Sequence, residues 1–260
     1  MDLVRSSETK YEEYERLLLE RDQLLKDAES IWICYTKTFG QMIADVFEEK
    51  LECIRLKKTI SYYQAALNHG GVVNPAEMEA YLSREMAAYQ AELERMLEEQ
   101  KRCGEAETSS VYEAKRAKQL YRRLAKRIHP DINPETDRQE ALQELWLRIL
   151  AAYRQNEVKA LSELEVLVSK ALEELGIGKI CVEIPDIEEK VEALKDEILE
   201  IRGTEPYTYG ELLEDASAVE KKKNELAEEL ESYRKYRQEL EDVIREMLES
   251  GGIRFRWIMK

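Results

Sequence analysis

The residues equipped for chemistry are concentrated in one short stretch. Histidine occurs twice in 260 residues, and one of the two, His129, is followed directly by Pro130 and Asp131. A base with an orienting carboxylate can drive catalysis only beside a nucleophile and an oxyanion site. No nearby Ser or Cys motif provides either. The four cysteines, Cys34, Cys53, Cys103 and Cys181, lie far apart with no C-x-x-C pair, which argues against a zinc site or a disulfide framework and for isolated thiols. His69 lies in a Gly-rich turn and reads as a solvated turn residue. No enzyme, no catalytic residue, no metal and no cofactor are expected.

The segment ahead of them carries the second signal. Residues 114–128, AKRAKQLYRRLAKRI, hold seven basic residues and no acidic one, in a chain whose net charge is −15. On a helix at about 100° per residue, Lys115, Lys118, Arg122 and Lys126 share one side, flanked by Arg116, Arg123 and Arg127. Ala117, Leu120, Tyr121, Leu124 and Ile128 share the other. Cations near a helix C-terminus oppose the helix dipole. That explains Lys126 and Arg127 but not a row that starts at Lys115. Like charges at i,i+4 cost a few tenths of a kcal/mol each, so an acidic partner is expected on this face. The alternative is pairing with the chain's own acidic helices.

These groups need elements to position them. Pro130 disfavours helical geometry at His129, so the basic helix must stop there. After the loop Ile132-Asn133-Pro134-Glu135, Thr136 and Gln139 mark the start of a helix near Asp137, with Leu142, Leu145, Trp146, Ile149 and Tyr153 on one face. Two helices with matching apolar faces and a short loop form an antiparallel pair, which sets His129, Pro130 and Asp131 at an exposed tip. Helical pattern continues through Leu175 with a break near Asn156.

At this point the residues resemble a known family. LYRRLAKRIHPDINPE (120–135) looks like helix II and the following loop of the J domain, the signature module of DnaJ-type co-chaperones, and WLRILAAY (146–153) is similar to its helix III. The resemblance covers about residues 108–160. It implies docking on an ATP-loaded DnaK-type heat-shock chaperone and stimulation of its ATP hydrolysis. Asp131 would then accept from a basic group of the chaperone, His129 and Pro130 would shape the loop, and Lys118, Arg122, Arg123, Lys126 and Arg127 would meet an acidic surface. The family's short first helix has no equivalent in Thr108–Tyr112; the end of the long helix at 86–103 is expected to take over its packing. No Gly/Phe-rich, zinc or β-type client domain follows, so the chain looks like the family's heterogeneous third class.

The rest of the sequence reads as helical arms. Charged residues make up 37%, against about 25% in a typical domain, and Gly and Pro are few. Tyr11, Leu18, Leu25 and Trp32 recur every seven residues, as do Leu82, Tyr89 and Met96 in a helix opened by Asn74, Pro75 and Glu77. Two such helices with a short turn predict an antiparallel hairpin. Later, Ile187, Val191, Leu194, Ile198 and Ile201 line one face. Thr208 with Glu211 opens a last helix with Leu212, Val219, Leu226, Tyr233, Leu240 and Met247 in heptad register. Residues 179–184 read as an extended linker, and the tail from Gly251 as an apolar and basic segment that packs back on the body.

The expected fold is all-α: a central antiparallel helix pair of J-domain type flanked by two long coiled-coil hairpins. Residues 1–104 form the N-terminal hairpin, 105–178 the J-like module, and 179–260 the C-terminal hairpin and tail. The N-terminus lacks a secretory pattern and no segment nears the ~18 apolar residues of a membrane span, so a cytoplasmic site is expected. The acid surplus disfavours nucleic acid and membrane. The arms would serve a client, a target or self-association as a homodimer. The rival reading is a coiled-coil scaffold whose J-like module lacks chaperone-stimulating activity.

Overall fold

The computed structural model describes residues 2–106, 110–177 and 186–255. The protein is all-α: among those residues it has nine helices and a single pair of two-residue strands. They are α1 (Asp2–Asn68), β1 (Val72–Val73), α2 (Pro75–Glu105), α3 (Val111–Ile128), α4 (Glu135–Arg138), α5 (Glu140–Arg154), α6 (Val158–Glu174), α7 (Ile187–Gly203), α8 (Tyr209–Glu214), α9 (Ala216–Glu249) and β2 (Arg254–Phe255). None of these helices is long and apolar enough to cross a membrane. The anticipated linker at 179–184, with Cys181, lies outside the described residues.

Two compact units result, and neither is continuous in sequence. The first joins residues 1–31 to 107–208, and the second joins 32–106 to 209–260. α1 contributes to both units, α7 to the first and α9 to the second.

In the first unit, Ser110 starts α3 with a full capping box: its hydroxyl accepts from the Glu113 amide and the Glu113 carboxylate accepts from the Ser110 amide. The apolar face of α3 (Ala117, Leu120, Tyr121, Leu124, Ile128) packs on Leu142, Leu145, Trp146, Ile149 and Tyr153 of α5 and on Leu161, Leu164, Val168 and Leu172 of α6. Tyr121 stacks on Tyr153 with centroids 4.0 Å apart, and His129 meets Trp146 edge-on at 4.8 Å. As α3 advances α5 recedes, so the pair is antiparallel. α6 returns beside α3, bonding Arg123 to Glu165 and Arg127 to Ser169. The break near Asn156 is real, with Asn156 at φ 56° between α5 and α6.

α1 closes this bundle from another side. Tyr153 donates to Gln23 and Tyr121 to Asp22, and Leu19 joins the core. Residues 1–31 of α1 belong to this unit, whereas the end of α2 belongs to the second. α7 runs parallel to this part of α1: Lys10 pairs with Glu188, Lys195 with Glu13 and Arg202 with Glu20. The anticipated apolar face of α7 is the one buried here, with Val191, Leu194 and Ile198 against Tyr14, Leu17 and Leu18.

In the second unit α1 and α2 form the expected antiparallel hairpin. Trp32 donates to Glu99, Gln100 to Gln41 and Lys58 to Glu85. The seven-residue stride is followed only in part: Leu18 in the first unit is buried, but Leu25 there is 49% exposed and Tyr89 in the second 39%. The last helix is interrupted, since α8 ends at Glu214 and Asp215 caps α9 by accepting from Ser217. The heptads of 212–247 hold: Leu212, Val219, Leu226 and Tyr233 pack around Phe39 and Val46, and Met247 beside Tyr62 and Tyr63. The tail packs back through Phe255, with Ile253 buried and β2 parallel to β1. Gly71, at φ 74°, admits the approach of Gly252, whose carbonyl a Cβ there would strike.

Candidate partner-binding site

The tip between α3 and α5 is built from its own polar groups. His129 ends α3 in extended geometry, and its carbonyl accepts from the amides of Ile132 and Asn133 at 2.9 and 2.7 Å. Asn133 is buried; its side-chain amide donates to the Arg127 carbonyl at 2.9 Å and its oxygen accepts from the Glu135 amide at 3.1 Å. Asn133 therefore satisfies the frayed end of α3 and turns the chain. Thr136 lies inside the short α4 and is fully buried, its hydroxyl without a partner among the described residues, and Gln139 stands at the start of α5.

The three residues of the tip have different environments. His129 is 4% exposed, Pro130 half-buried, and the Asp131 side chain 45% exposed. The expectation of a wholly exposed tip is thus corrected at His129. Its ring is held against Trp146, its Nδ1 accepts from the Asp131 amide at 3.1 Å, and its Nε2 lies 3.6 Å from Asp22 Oδ2. With Nδ1 an acceptor, the proton of the neutral ring belongs on Nε2, facing Asp22. The His129 ring thus ties the Asp131 backbone to the end of α3.

Asp22 is the residue that sequence reasoning missed. Its carboxylate accepts from the Tyr121 hydroxyl at 2.6 Å and from Arg21 at 2.9 Å. Burial would raise its pKa, but hydrogen bonds from His129 and Tyr121 and the charge of Arg21 hold it below the ordinary carboxylate range. Burial and the nearby Asp22 charge push the Tyr121 phenol well up, so it stays protonated. A depressed carboxylate contributes stability above its unfolded value of about 3.9, lost as pH falls through the folded value. The wild type should therefore lose more thermal stability than Asp22→Asn between pH 5 and pH 2. Parallel melting curves in that range would contradict the network. A signal existed in the sequence: Asp22 lies four residues after Leu18, a polar side chain on an apolar seam.

The basic face divides in two. Lys126 pairs with Glu15 at 2.5 Å, Arg123 with Glu165 at 2.9 Å, and Arg127 donates to Ser169 at 2.8 Å. These three, expected to meet a partner, are engaged by α1 and α6, as the alternative of internal pairing foresaw. The matched four-residue spacing of Arg123/Arg127 and Glu165/Ser169 was the sequence signal for it. Lys115, Arg116, Lys118 and Arg122 have no ion-pair partner among the described residues, and all but half-buried Lys118 are exposed. Beside them, burial pushes Lys26 down to about 8, with the charge of Lys118 adding to the effect. These four unpaired cations therefore lie between Lys115 and Arg122 of α3.

Among the described residues no group of three or more His, Cys, Asp or Glu is placed to hold a metal ion. Cys34, Cys53 and Cys103 are free thiols, and His69 is exposed in its turn. No family model, curated protein or solved structure matches the chain.

Proposed function

We propose that the chain is a J-domain-type co-chaperone: it docks on a DnaK-type heat-shock chaperone and stimulates its ATP hydrolysis, with its helical arms serving a client, a target or a second copy. The observation that carries this reading is the pairing of a half-exposed Asp131, held by His129 at the end of α3, with a row of unpaired cations on the same helix. A carboxylate so fixed accepts charge-assisted hydrogen bonds from an arginine, and the cations steer an acidic surface into register. The resemblance of residues 120–135 and 146–153 to the family's second and third helices supports the same reading. The reading involves no chemistry on this chain; the bond broken is in the chaperone's nucleotide.

The division of the basic face refines what a partner would touch. Arg122→Glu is expected to weaken association about tenfold at low salt and much less at 0.5 M salt, where exposed charges are screened. Arg127→Glu is expected to do less, because Arg127 is committed to Ser169. Binding isotherms of the two variants at two salt concentrations check this; equal loss, or no salt dependence, would count against a docking role for Arg122.

The second reading, a scaffold with an inactive J-like module, draws on the buried His129 and on Arg21, which lies 3.8 Å from Asp131. Single-turnover ATP hydrolysis by a purified DnaK-type chaperone separates the two. Stimulation by the full chain supports the co-chaperone, and a rate equal to that of chaperone alone supports the scaffold.

A further inference from the structure

The tip is not left to solvent but rests on a platform made by the same chain. Ile132, 3% exposed, inserts among Tyr14, Leu17 and Leu18 of α1 and Val191, Leu194 and Ile198 of α7. Above this apolar seat Arg21, itself largely covered, lies 3.8 Å from Asp131 Oδ2, 3.7 Å from Glu197 and 2.9 Å from Asp22. Tyr14 is close enough that the Asp131 charge, after burial, helps to raise its hydroxyl's pKa. One cation is thus shared by three carboxylates. Its contact with Asp131 is the longest of the three, and the Asp131 and Glu197 side chains are each 45% exposed.

We propose that Arg21 and the α1/α7 platform form an autoinhibitory latch, which keeps Asp131 engaged within the chain until a partner's arginine takes it over. The inference rests on the co-chaperone reading. If the chaperone's arginine grips Asp131 through both carboxylate oxygens, it competes with Arg21 for Oδ2. Docking must then displace Arg21, and Arg21 retains Asp22 and Glu197 as partners when it lets go. A built-in competitor of this kind lowers apparent affinity by the fraction of molecules that are closed, without altering the docking surface itself. Glu197 sets the strength of the latch in the opposite sense, because it draws the same guanidinium away from Asp131.

The test uses the full chain with a purified DnaK-type chaperone and ATP, and reads single-turnover hydrolysis alongside hydrogen exchange of the Asp131 and Ile132 amides. Arg21→Gln, which keeps a donor for Asp22, is expected to raise stimulation at limiting chain concentration at least threefold and to speed exchange at both amides. Glu197→Gln is expected to leave stimulation at or below the wild-type level, an outcome that general loosening of the fold would not produce. Asp131→Asn in the Arg21→Gln background should return hydrolysis to the level of chaperone alone. Faster exchange in Arg21→Gln with unchanged stimulation overturns the latch while leaving the co-chaperone reading in place. A rise in stimulation on Glu197→Gln also overturns it. If neither the wild type nor the released Arg21→Gln variant stimulates, the co-chaperone reading falls, and the latch with it.

Discussion

Asp131→Asn is expected to reduce stimulation of a DnaK-type chaperone's ATP hydrolysis to the level of chaperone alone. The exchange keeps the size and one acceptor of the side chain and removes its charge, so what is lost is the charge-assisted bond to a partner's arginine, the kind of contact worth about 2–5 kcal/mol when half of a pair is removed at an interface. The fold should tolerate it. The Asp131 side chain is 45% exposed and its own-chain contacts to Arg21 and His129 both span 3.8 Å, which places the stability change below about 1 kcal/mol. Circular dichroism and the melting temperature of the variant are expected to match the wild type within a few degrees. Retained stimulation in a folded Asp131→Asn protein would remove Asp131 from the account.

Trp146→Ala carries the largest expected cost to stability. Trp146 is 8% exposed, lies between His129 and Tyr121, and belongs to the core shared by α3, α5 and α6. Truncating a buried aromatic of this size costs about 3–5 kcal/mol, a large share of a domain's usual 5–15 kcal/mol. The same change removes the wall against which the His129 ring is set, so the Asp131 backbone loses its tie to the end of α3 along with the helix pair. Chemical denaturation should show the midpoint falling steeply. A shift of less than about 1 kcal/mol would mean that the packing of this core is not as described.

The sequence disclosed what depends on local periodicity. The two faces of α3, the apolar row of α5, the break at Asn156, the face of α7 and the heptads of 212–247 were all visible, because each is a repeat within one helix. It concealed which helix each face would choose. A heptad states that a seam exists and carries little about its partner, so α7 was read with α9 when its isoleucines and leucines in fact settle on Tyr14, Leu17 and Leu18. The stride through Leu18 and Leu25 suggests one continuous seam, yet Leu25 is half exposed and the polar Asp22 is half-buried beside Tyr121 and His129. That choice turns on a hydrogen-bond network between residues about a hundred positions apart, and no pattern within one helix encodes it.

For the candidate site the tripeptide and the basic row were legible, and their environments were not. The charge pattern of α3 could not distinguish Arg122, which stays free, from Arg123 and Arg127, which α6 engages. Nor could it show that α1 passes beneath the tip and offers Arg21 to Asp131. Both corrections have one physical origin: a net charge of −15 gives any cationic helix an ample choice of carboxylates within its own chain.

The most direct measurement of the central claim is site-specific photocrosslinking to a DnaK-type chaperone. A benzophenone side chain replaces Arg122 on the free part of the basic face in one protein. In a second it replaces Val243 on α9, which is 41% exposed and belongs to the second unit. The account predicts an adduct from position 122 that forms with ATP-loaded chaperone, fades with ADP, and is absent from position 243. Equal labelling from both positions, or none from position 122 with ATP present, would contradict it.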